Sequence, residues 1–452
     1  MRLKQLEEKL LNNQNKLPEN KRRTSSLRSE CDVSNIDVHS NLKIVGVTGS
    51  KGKTSVCVLV HNYLKYIGEE TITYNSAFID SKTSINTSCE VALQNEGIII
   101  DIIEEAKAQQ TKYLILEVNE SSIVKGIVKD IPFNIRVLTN INKDNSIGIY
   151  DNDEYINIKK SFFQNVTDEC VNIFGLTNCF SKEEYESLLT LNNYPSISFG
   201  SRYICNIRGV DISNIKYLVQ PSSVNLDSIN GIEFELKVKD EVYNIKSNLL
   251  FFESALNIAC AVAILDTLNV LDMSKFIKYI SNTTIPGRNE VIRVNNKTII
   301  IGISLIPVLE ELYKYKQDNQ ITNIITVVGS AGDDFSTWSK EFKSNKRKQE
   351  LDNNRLFGMN YVAKYSSKVY LTSNDNGATN PNIIVNKLNS YINNRIPTIL
   401  EENRKTAIKK AIEEASTNDV IFIAGRGNRR IFCKNENEIE LYTDKEIVLS
   451  LK

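Results

Sequence analysis

With 452 residues, 41% of them hydrophobic, the chain is long enough for two or three domains of roughly 150 residues, each with its own core. Its 55 basic residues are matched by 55 acidic ones, so no basic field argues for nucleic acid and no acidic tail for a solvating role. No apolar run approaches the ~20 residues of a membrane helix, and the opening Met-Arg-Leu-Lys-Gln-Leu-Glu-Glu-Lys lacks the apolar core of a signal peptide. The expectation is a cytoplasmic protein that neither enters a membrane nor binds nucleic acid.

Residues 1–41 are polar and charged, with one short pattern of Leu3, Leu6, Leu10 and Leu11, and read as a short helix followed by a flexible extension. From Lys43 onward, short apolar runs alternate with helical periods, the mark of a mostly parallel sheet flanked by helices. The first expected strand, 44–47, runs into Gly49-Ser50-Lys51-Gly52-Lys53-Thr54 and then into a helical pattern over 53–66. This order builds a phosphate cradle. Glycines let backbone N–H groups approach phosphate oxygens, and the helix N-terminus adds partial positive charge. Lys53 would neutralise the β- and γ-phosphates, and the Thr54 hydroxyl would sit on Mg²⁺. The strict eight-residue P-loop spacing is not met, because position 47 is Val; the shorter Gly-x-x-Gly-Lys-Thr is. The bland alternative is an ordinary strand–turn–helix.

Further strands are expected at 113–118 and 135–139, with helices at 101–109 and 153–165. Residues 200–248 read as short antiparallel strands and 253–268 as a helix. Ile285-Pro286-Gly287-Arg288 breaks the pattern as a hinge. A second alternation then predicts strands at 298–303, 323–328, 368–371 and 420–424, with helices at 308–315, 382–391 and 403–415. The lysine-rich stretch 333–358 reads as a mobile loop. The fold class is therefore α/β: an extension (1–41), a P-loop central domain with a mostly parallel sheet (42–288), and a Rossmann-like C-terminal domain (289–452). The eight cysteines form no Cys-x-x-Cys, which argues against a zinc ribbon, and Cys57 and Cys260 fall in apolar helical patterns as packed thiols. The only histidines are His39, ahead of the loop, and His61, a surface or core residue on the helix after it.

The phosphate loop has company. Leu116-Glu117-Val118 closes one strand and Leu138-Thr139-Asn140-Ile141-Asn142-Lys143-Asp144-Asn145 another. Tyr155 to Phe163 follows on a helix, Asn257 sits in Glu253-Ser254-Ala255-Leu256-Asn257-Ile258-Ala259, and then come Pro286-Gly287-Arg288-Asn289-Glu290 and Ala424-Gly425-Arg426-Gly427-Asn428. In this order the set resembles the Mur ligase family, nearest its UDP-N-acetylmuramoyl-tripeptide synthetase type, from about residue 42 to the C-terminus. The resemblance implies ATP and Mg²⁺ as cofactors, and activation of a carboxylate as an acyl-phosphate that an amine then attacks. Its partners would be a carboxylate and an amine.

Carried over residue by residue, the resemblance assigns Gly49, Ser50, Lys51, Gly52, Lys53, Thr54 and Ser55 to the nucleotide phosphates. It places Asn140 and Asn257 near phosphates and adenine, and Arg288 as a hinge arginine reaching the nucleotide. Thr54 and Glu117 become metal ligands. Lys159 becomes a carbamylated lysine that serves a second metal, and Lys53, Lys159 and Asn145 become the catalytic set. Rival readings are a solvated strand-end charge for Glu117, a plain surface lysine beside Lys160 for Lys159, and a surface arginine for Arg288.

The departures from the pattern also carry information. Asp144-Asn145 stands where the family has Asp-His. Gly302-Ile303-Ser304-Leu305-Ile306-Pro307 replaces Asp-Tyr-Ala-His-Thr-Pro, Asn374-Asp375-Asn376-Gly377 replaces Asp-Asn-Pro-Arg, and Gly425-Arg426-Gly427-Asn428-Arg429 replaces Gly-Lys-Gly-His-Glu. The Ser-Ser-His stretch after the glutamate becomes Asn119-Glu120-Ser121. The 42 residues before the first strand are too few for the family's UDP-binding domain, so a non-standard substrate is expected. Arg426, Arg429 and Arg430 could grip a different carboxylate or phosphate, or form a solvated basic loop. The expected function is an ATP-dependent amide ligase with an altered acceptor. The alternatives are a catalytically degenerate nucleotide-binding protein or partner subunit, and a folate-polyglutamate or poly-γ-glutamate type ligase.

Overall fold

The computed structural model describes residues 41–81, 84–87, 96–141, 152–164, 170–176, 181–191, 194–221, 227–332, 345–435 and 438–452. The extension expected at 1–41, and with it His39, lies outside them but for residue 41, and Asn145 lies outside them altogether. The chain divides into two compact units, one ending at Thr283 and one beginning at Thr284.

The first unit is built on a twelve-stranded sheet. Its strands are β1 (Lys43–Thr48), β2 (Thr71–Tyr74), β3 (Phe78–Ser81), β4 (Ser84–Thr87), β5 (Tyr113–Glu117), β6 (Ile135–Leu138), β7 (Val171–Gly175), β8 (Ser196–Ser201), β9 (Tyr217–Pro221), β10 (Asp227–Ser228), β11 (Gly231–Val238) and β12 (Glu241–Ser247). They lie in the order β10-β11-β9-β8-β7-β6-β1-β5-β2-β3-β4, with β12 against β11. The run from β9 to β2 is parallel, and antiparallel hairpins finish both ends.

β5 and β6 are buried along their whole length and β1 everywhere but its first residue, as parallel strands covered on both faces must be. This is why they read as largely apolar runs, Arg136 in β6 and Glu117 at the end of β5 being the buried charged exceptions. β1 lies between β5 and β6, with Val47 opposite Glu117 and Thr48 opposite Leu138. The carboxyl ends of three central strands therefore open at one edge, at a switch in strand order, where open α/β sheets bind ligands.

Helix Lys53–Tyr66 leaves β1 and packs on helix Phe252–Thr267, whose residues from Ile258 to Leu265 are all buried. Cys57 and Cys260 lie in this seam as buried thiols, and burial pushes both well above the ordinary range. His61 is also core: its Nε2 is 2.9 Å from Asp80 Oδ2 and its Nδ1 is 3.2 Å from Thr71 Oγ1. The region 200–248 departs from expectation by including a helix, Arg202–Arg208, capped by the Ser201 side chain; β9 runs parallel to β8 beside it.

The second unit holds a six-stranded sheet of β13 (Glu290–Val294), β14 (Lys297–Gly302), β15 (Ile324–Ser330), β16 (Lys368–Ser373), β17 (Thr398–Leu400) and β18 (Val420–Ala424). Their order is β13-β14-β18-β15-β16-β17, parallel except for β13. A hairpin of β19 (Ile431–Asn435) and β20 (Glu438–Leu441) and a helix Asp444–Leu449 follow. One expectation is corrected here: residues 345–358, read as loop, belong to a helix Asn345–Tyr365. Among its described side chains the buried face is thin, with Arg355, Met359 and Val362 at helical spacing, while Leu356 and Phe357 are exposed. Among the described residues no helix is long and apolar enough to cross a membrane.

Candidate functional site

The turn after β1 is shaped by two glycines in backbone conformations that side chains rarely adopt. Gly49 has φ 145° and Gly52 φ 81°. A Cβ on Gly49 would meet Thr139 Oγ1 at 2.0 Å, and one on Gly52 would meet Asn257 Oδ1 at 2.3 Å. Gly52 is the N-cap of helix Lys53–Tyr66, makes no side-chain cap bond, and is followed by no acidic residue in the first turn. No acidic residue of the helix's own first turn therefore competes for its positive end.

The strand-end residues of β6 fasten the turn. Asn140 accepts from Ser50 N at its carbonyl (2.9 Å) and from Lys51 N at Oδ1 (2.9 Å), and its Nδ2 donates to Lys51 O (3.0 Å). Thr139 Oγ1 donates to the same carbonyl at 2.6 Å. The structure therefore uses Asn140 to brace the loop and Asn257 to pack on it. Lys53 Nζ folds over the turn and donates to Gly49 O at 2.7 Å.

Below the turn, Thr54 Oγ1 donates to Glu117 Oε2 (2.8 Å), which also accepts from Ser76 N (2.8 Å). Ser76 Oγ is 2.7 Å from Thr54 Oγ1. Glu117 is 6% exposed, which removes the solvated strand-end reading. A carboxylate and a hydroxyl are hard oxygen donors of the kind Mg²⁺ takes along with phosphate and water. Ser55 is buried in the first turn behind Thr54.

Lys159 comes from helix Asn152–Ser161 and is fully buried, which removes the surface-lysine reading. Its Nζ is 2.7 Å from Glu120 Oε1 and donates to Thr48 Oγ1 at 3.0 Å. Burial brings its pKa down to about 8 against the pull of Glu120. Burial acts to raise Glu120, but the ammonium of Lys159, with Lys53 further off, outweighs it and holds the carboxyl at about 2.

Residues 47–265, which span these groups, match the model of the Mur ligase middle domain. The chain carries a Mur ligase middle domain. It is 24% identical over 419 residues, 90% of this chain and 83% of the relative, to the UDP-N-acetylmuramoyl-L-alanyl-D-glutamate–2,6-diaminopimelate ligase of Helicobacter pylori strain J99. It is 26% identical over 426 residues, 91% and 78% respectively, to the ligase of the same name from Alkaliphilus oremlandii. In fold it is similar to the MurF ligase of Thermotoga maritima solved with ADP, at TM-score 0.58 and 13% identity, covering 90% of this chain and 79% of that one.

Within this domain, four of the residues gathered here carry no role in the sequence reading: Thr48, Ser76, Glu120 and Tyr155. Tyr155 OH donates to Glu120 Oε1 at 3.0 Å and lies 3.0 Å from Ser50 Oγ; burial first, and the Glu120 charge next, push its phenol up. The only sequence signal for Glu120 was the departure Asn119-Glu120-Ser121 itself.

In the second unit, Arg288 N donates to Ile285 O, and its guanidinium lies against Gly427, where a Cβ would meet Nη1 at 3.0 Å. The arginines read as a carboxylate grip are otherwise engaged. Arg426 is 0% exposed, with Nη1 3.1 Å from Asp375 Oδ1 and Nη2 on the carbonyls of Arg429 and Ile431. Arg429 Nη1 reaches Asp375 Oδ2 at 3.2 Å, and Arg430 Nη1 reaches Glu446 Oε1 at 2.9 Å. Asn374 Oδ1 accepts from Arg404 Nη1 at 2.8 Å, and Arg404 is paired with Asp444 where both are fully buried.

Proposed function

We propose that this chain is a Mur-type ATP-dependent carboxylate–amine ligase acting through an acyl-phosphate, with a substrate pair other than that of its named relatives. The observation that carries the reading is the junction of Thr54, Glu117 and Ser76 under a turn whose two glycines leave room for nothing larger. Thr54 and Glu117 would hold Mg²⁺, and Lys53 would leave the carbonyls of Gly49 and Ser50 for the β- and γ-phosphates. When bound, the metal supplies charge neutralisation for the phosphate oxygens.

The chain's own residues position rather than transfer protons. The loop amides and the helix N-terminus would orient the triphosphate, so that a carboxylate oxygen attacks the γ-phosphorus in line and ADP leaves with the electron pair of the broken P–O bond. An amine nitrogen would then attack the acyl carbon, phosphate departing with the C–O electron pair and the nitrogen giving up its proton to solvent. The altered acceptor is supported in the second unit: Asn374-Asp375-Asn376-Gly377 presents no arginine, and Arg426 is spent on Asp375. The same observation favours the second reading, a degenerate nucleotide-binding subunit.

Phosphate release, measured over a panel of carboxylates and amines that includes UDP-muramoyl dipeptide with diaminopimelate and a folate with glutamate, separates the readings. A ligase releases phosphate only when both substrates are present and loses this in Lys53→Ala. A chain that binds MgATP without turnover on every pair is the degenerate form.

A further inference from the structure

The turn between β2 and β3 reaches Glu117 from a side that no sequence motif announces. Ser76, in the middle of this turn, donates its backbone N–H to Glu117 Oε2 at 2.8 Å. Thr54 Oγ1 donates to the same oxygen at 2.8 Å. Among the described residues, both donors to this carboxylate meet Oε2 and none meets Oε1. The group is thus fixed to the protein by one oxygen and left with the other to bind through.

Asn75, 1% exposed, is what aims the Ser76 amide. Its Oδ1 accepts from Ala77 N at 2.9 Å and from Phe78 N at 3.1 Å, and its own N–H donates to Phe78 O at 3.2 Å. The turn is closed around this one side chain, as asparagine does where the backbone reverses. Its Nδ2 donates to Thr73 Oγ1 at 3.2 Å, and Thr73 Oγ1 donates in turn to Ile115 O at 3.0 Å. The hydroxyl proton is spent on Ile115, so Thr73 offers Asn75 a lone pair only. The amide therefore fits one way round, carbonyl to the two N–H groups and NH₂ to the hydroxyl. Thr73 is paired with Ile115 in the β2–β5 register, and Glu117 ends the same strand two residues on. Asn75 thus ties the turn to the strand that carries Glu117. The amides of Asn75, Ala77 and Phe78 are all used in closing the turn, and the Ser76 amide goes to the carboxylate.

We propose that Asn75 is a positioning residue for the cation site: it holds the β2–β3 turn so that the Ser76 N–H sets the Glu117 carboxylate in the orientation that takes Mg²⁺. The proposal rests on the nucleotide-site reading above, and its test separates the two.

The test compares two cations of different tolerance. Mg²⁺ demands near-ideal octahedral geometry at short distance, whereas Ca²⁺ accepts longer and less regular oxygen contacts. A carboxylate that has lost its orientation therefore harms the first more than the second. Affinities of the full-length protein for MgADP and for CaADP are measured by calorimetry, with folding checked by circular dichroism. Asn75→Ala is expected to weaken MgADP about tenfold, the effect of loosening one hydrogen bond to a charged group, and CaADP no more than about twofold. Thr73→Val keeps the strand's shape and removes the hydroxyl that holds Nδ2. It is expected to weaken MgADP about threefold with the same bias between cations, and to carry the test alone should Asn75→Ala not fold. The double variant is expected to be no weaker than Asn75→Ala, because both changes act through one amide. Equal losses for the two cations, which a merely structural asparagine would give, overturn the proposal, and so does an unchanged affinity for MgADP. Wild-type protein that binds MgADP while the variants fail these expectations sinks this proposal alone. Wild-type protein that binds no adenine nucleotide sinks the ligase reading and this one with it.

Discussion

Gly52→Ala tests the shape of the turn with a single methyl group. At φ 81° the added Cβ faces the left-handed penalty of about 1–2 kcal/mol for a non-glycine residue. It also meets Asn257 Oδ1 at 2.3 Å, well inside contact distance, so the Asn257 side chain must turn aside from the helix that carries it. Relieving such an overlap costs about 1–3 kcal/mol, which gives a total loss of about 2–5 kcal/mol. The assay is calorimetric unfolding of wild type, Gly52→Ala, Asn257→Ala and the double variant. Asn257→Ala removes the clash but not the backbone strain, so the double variant recovers about 1–3 kcal/mol relative to the sum of the singles. Strict additivity, or a Gly52→Ala protein as stable as wild type, refutes the reasoning.

Asp375→Asn strips Arg426 of its only carboxylate partner among the described residues and is expected to cost about 3–5 kcal/mol, read as a fall in Tm; an unchanged Tm contradicts the buried-pair account. His61 is lowered from 6.5 by burial, so the unfolded chain takes up the proton first and stability falls as pH drops below 6.5. In His61→Gln this limb of the pH–stability profile flattens. Glu120 is held at about 2 against an ordinary 4.5, so its contribution is complete above 4.5 and is lost as pH falls toward 2. Glu120→Gln lacks that acid limb, and a variant with the wild-type profile contradicts the assignment.

The parts of the fold that were legible are those whose burial is written into consecutive residues. β1, β5 and β6 are covered on both faces, so each is a largely apolar run, and Gly-x-x-Gly-Lys-Thr marks the turn because only glycine fits where Thr139 and Asn257 press in. Helix Asn345–Tyr365 was misread because its contact with the unit rests on a narrow stripe through Met359 and Val362. Tertiary packing supplies what periodicity does not announce. Arg426 illustrates the same limit for charge. In sequence it sits in an arginine-rich loop, but its carboxylate partner, Asp375, arrives from beyond β16 only when β16 and β18 share a sheet. Glu120 was passed over for a related reason. Next to Glu117 it looks like a second strand-end charge, and it acquires a role only when helix Asn152–Ser161 delivers Lys159 and Tyr155 to it.

The central claim is that Lys53, Thr54 and Glu117 form a site for a magnesium-bound adenine nucleotide. Isothermal titration of the full chain with ATP, with and without Mg²⁺, addresses it directly. The account predicts saturable binding that needs the cation and is lost in Lys53→Ala and Glu117→Ala, both still folded by circular dichroism. Binding of equal strength in Lys53→Ala, or no heat with any adenine nucleotide, contradicts it.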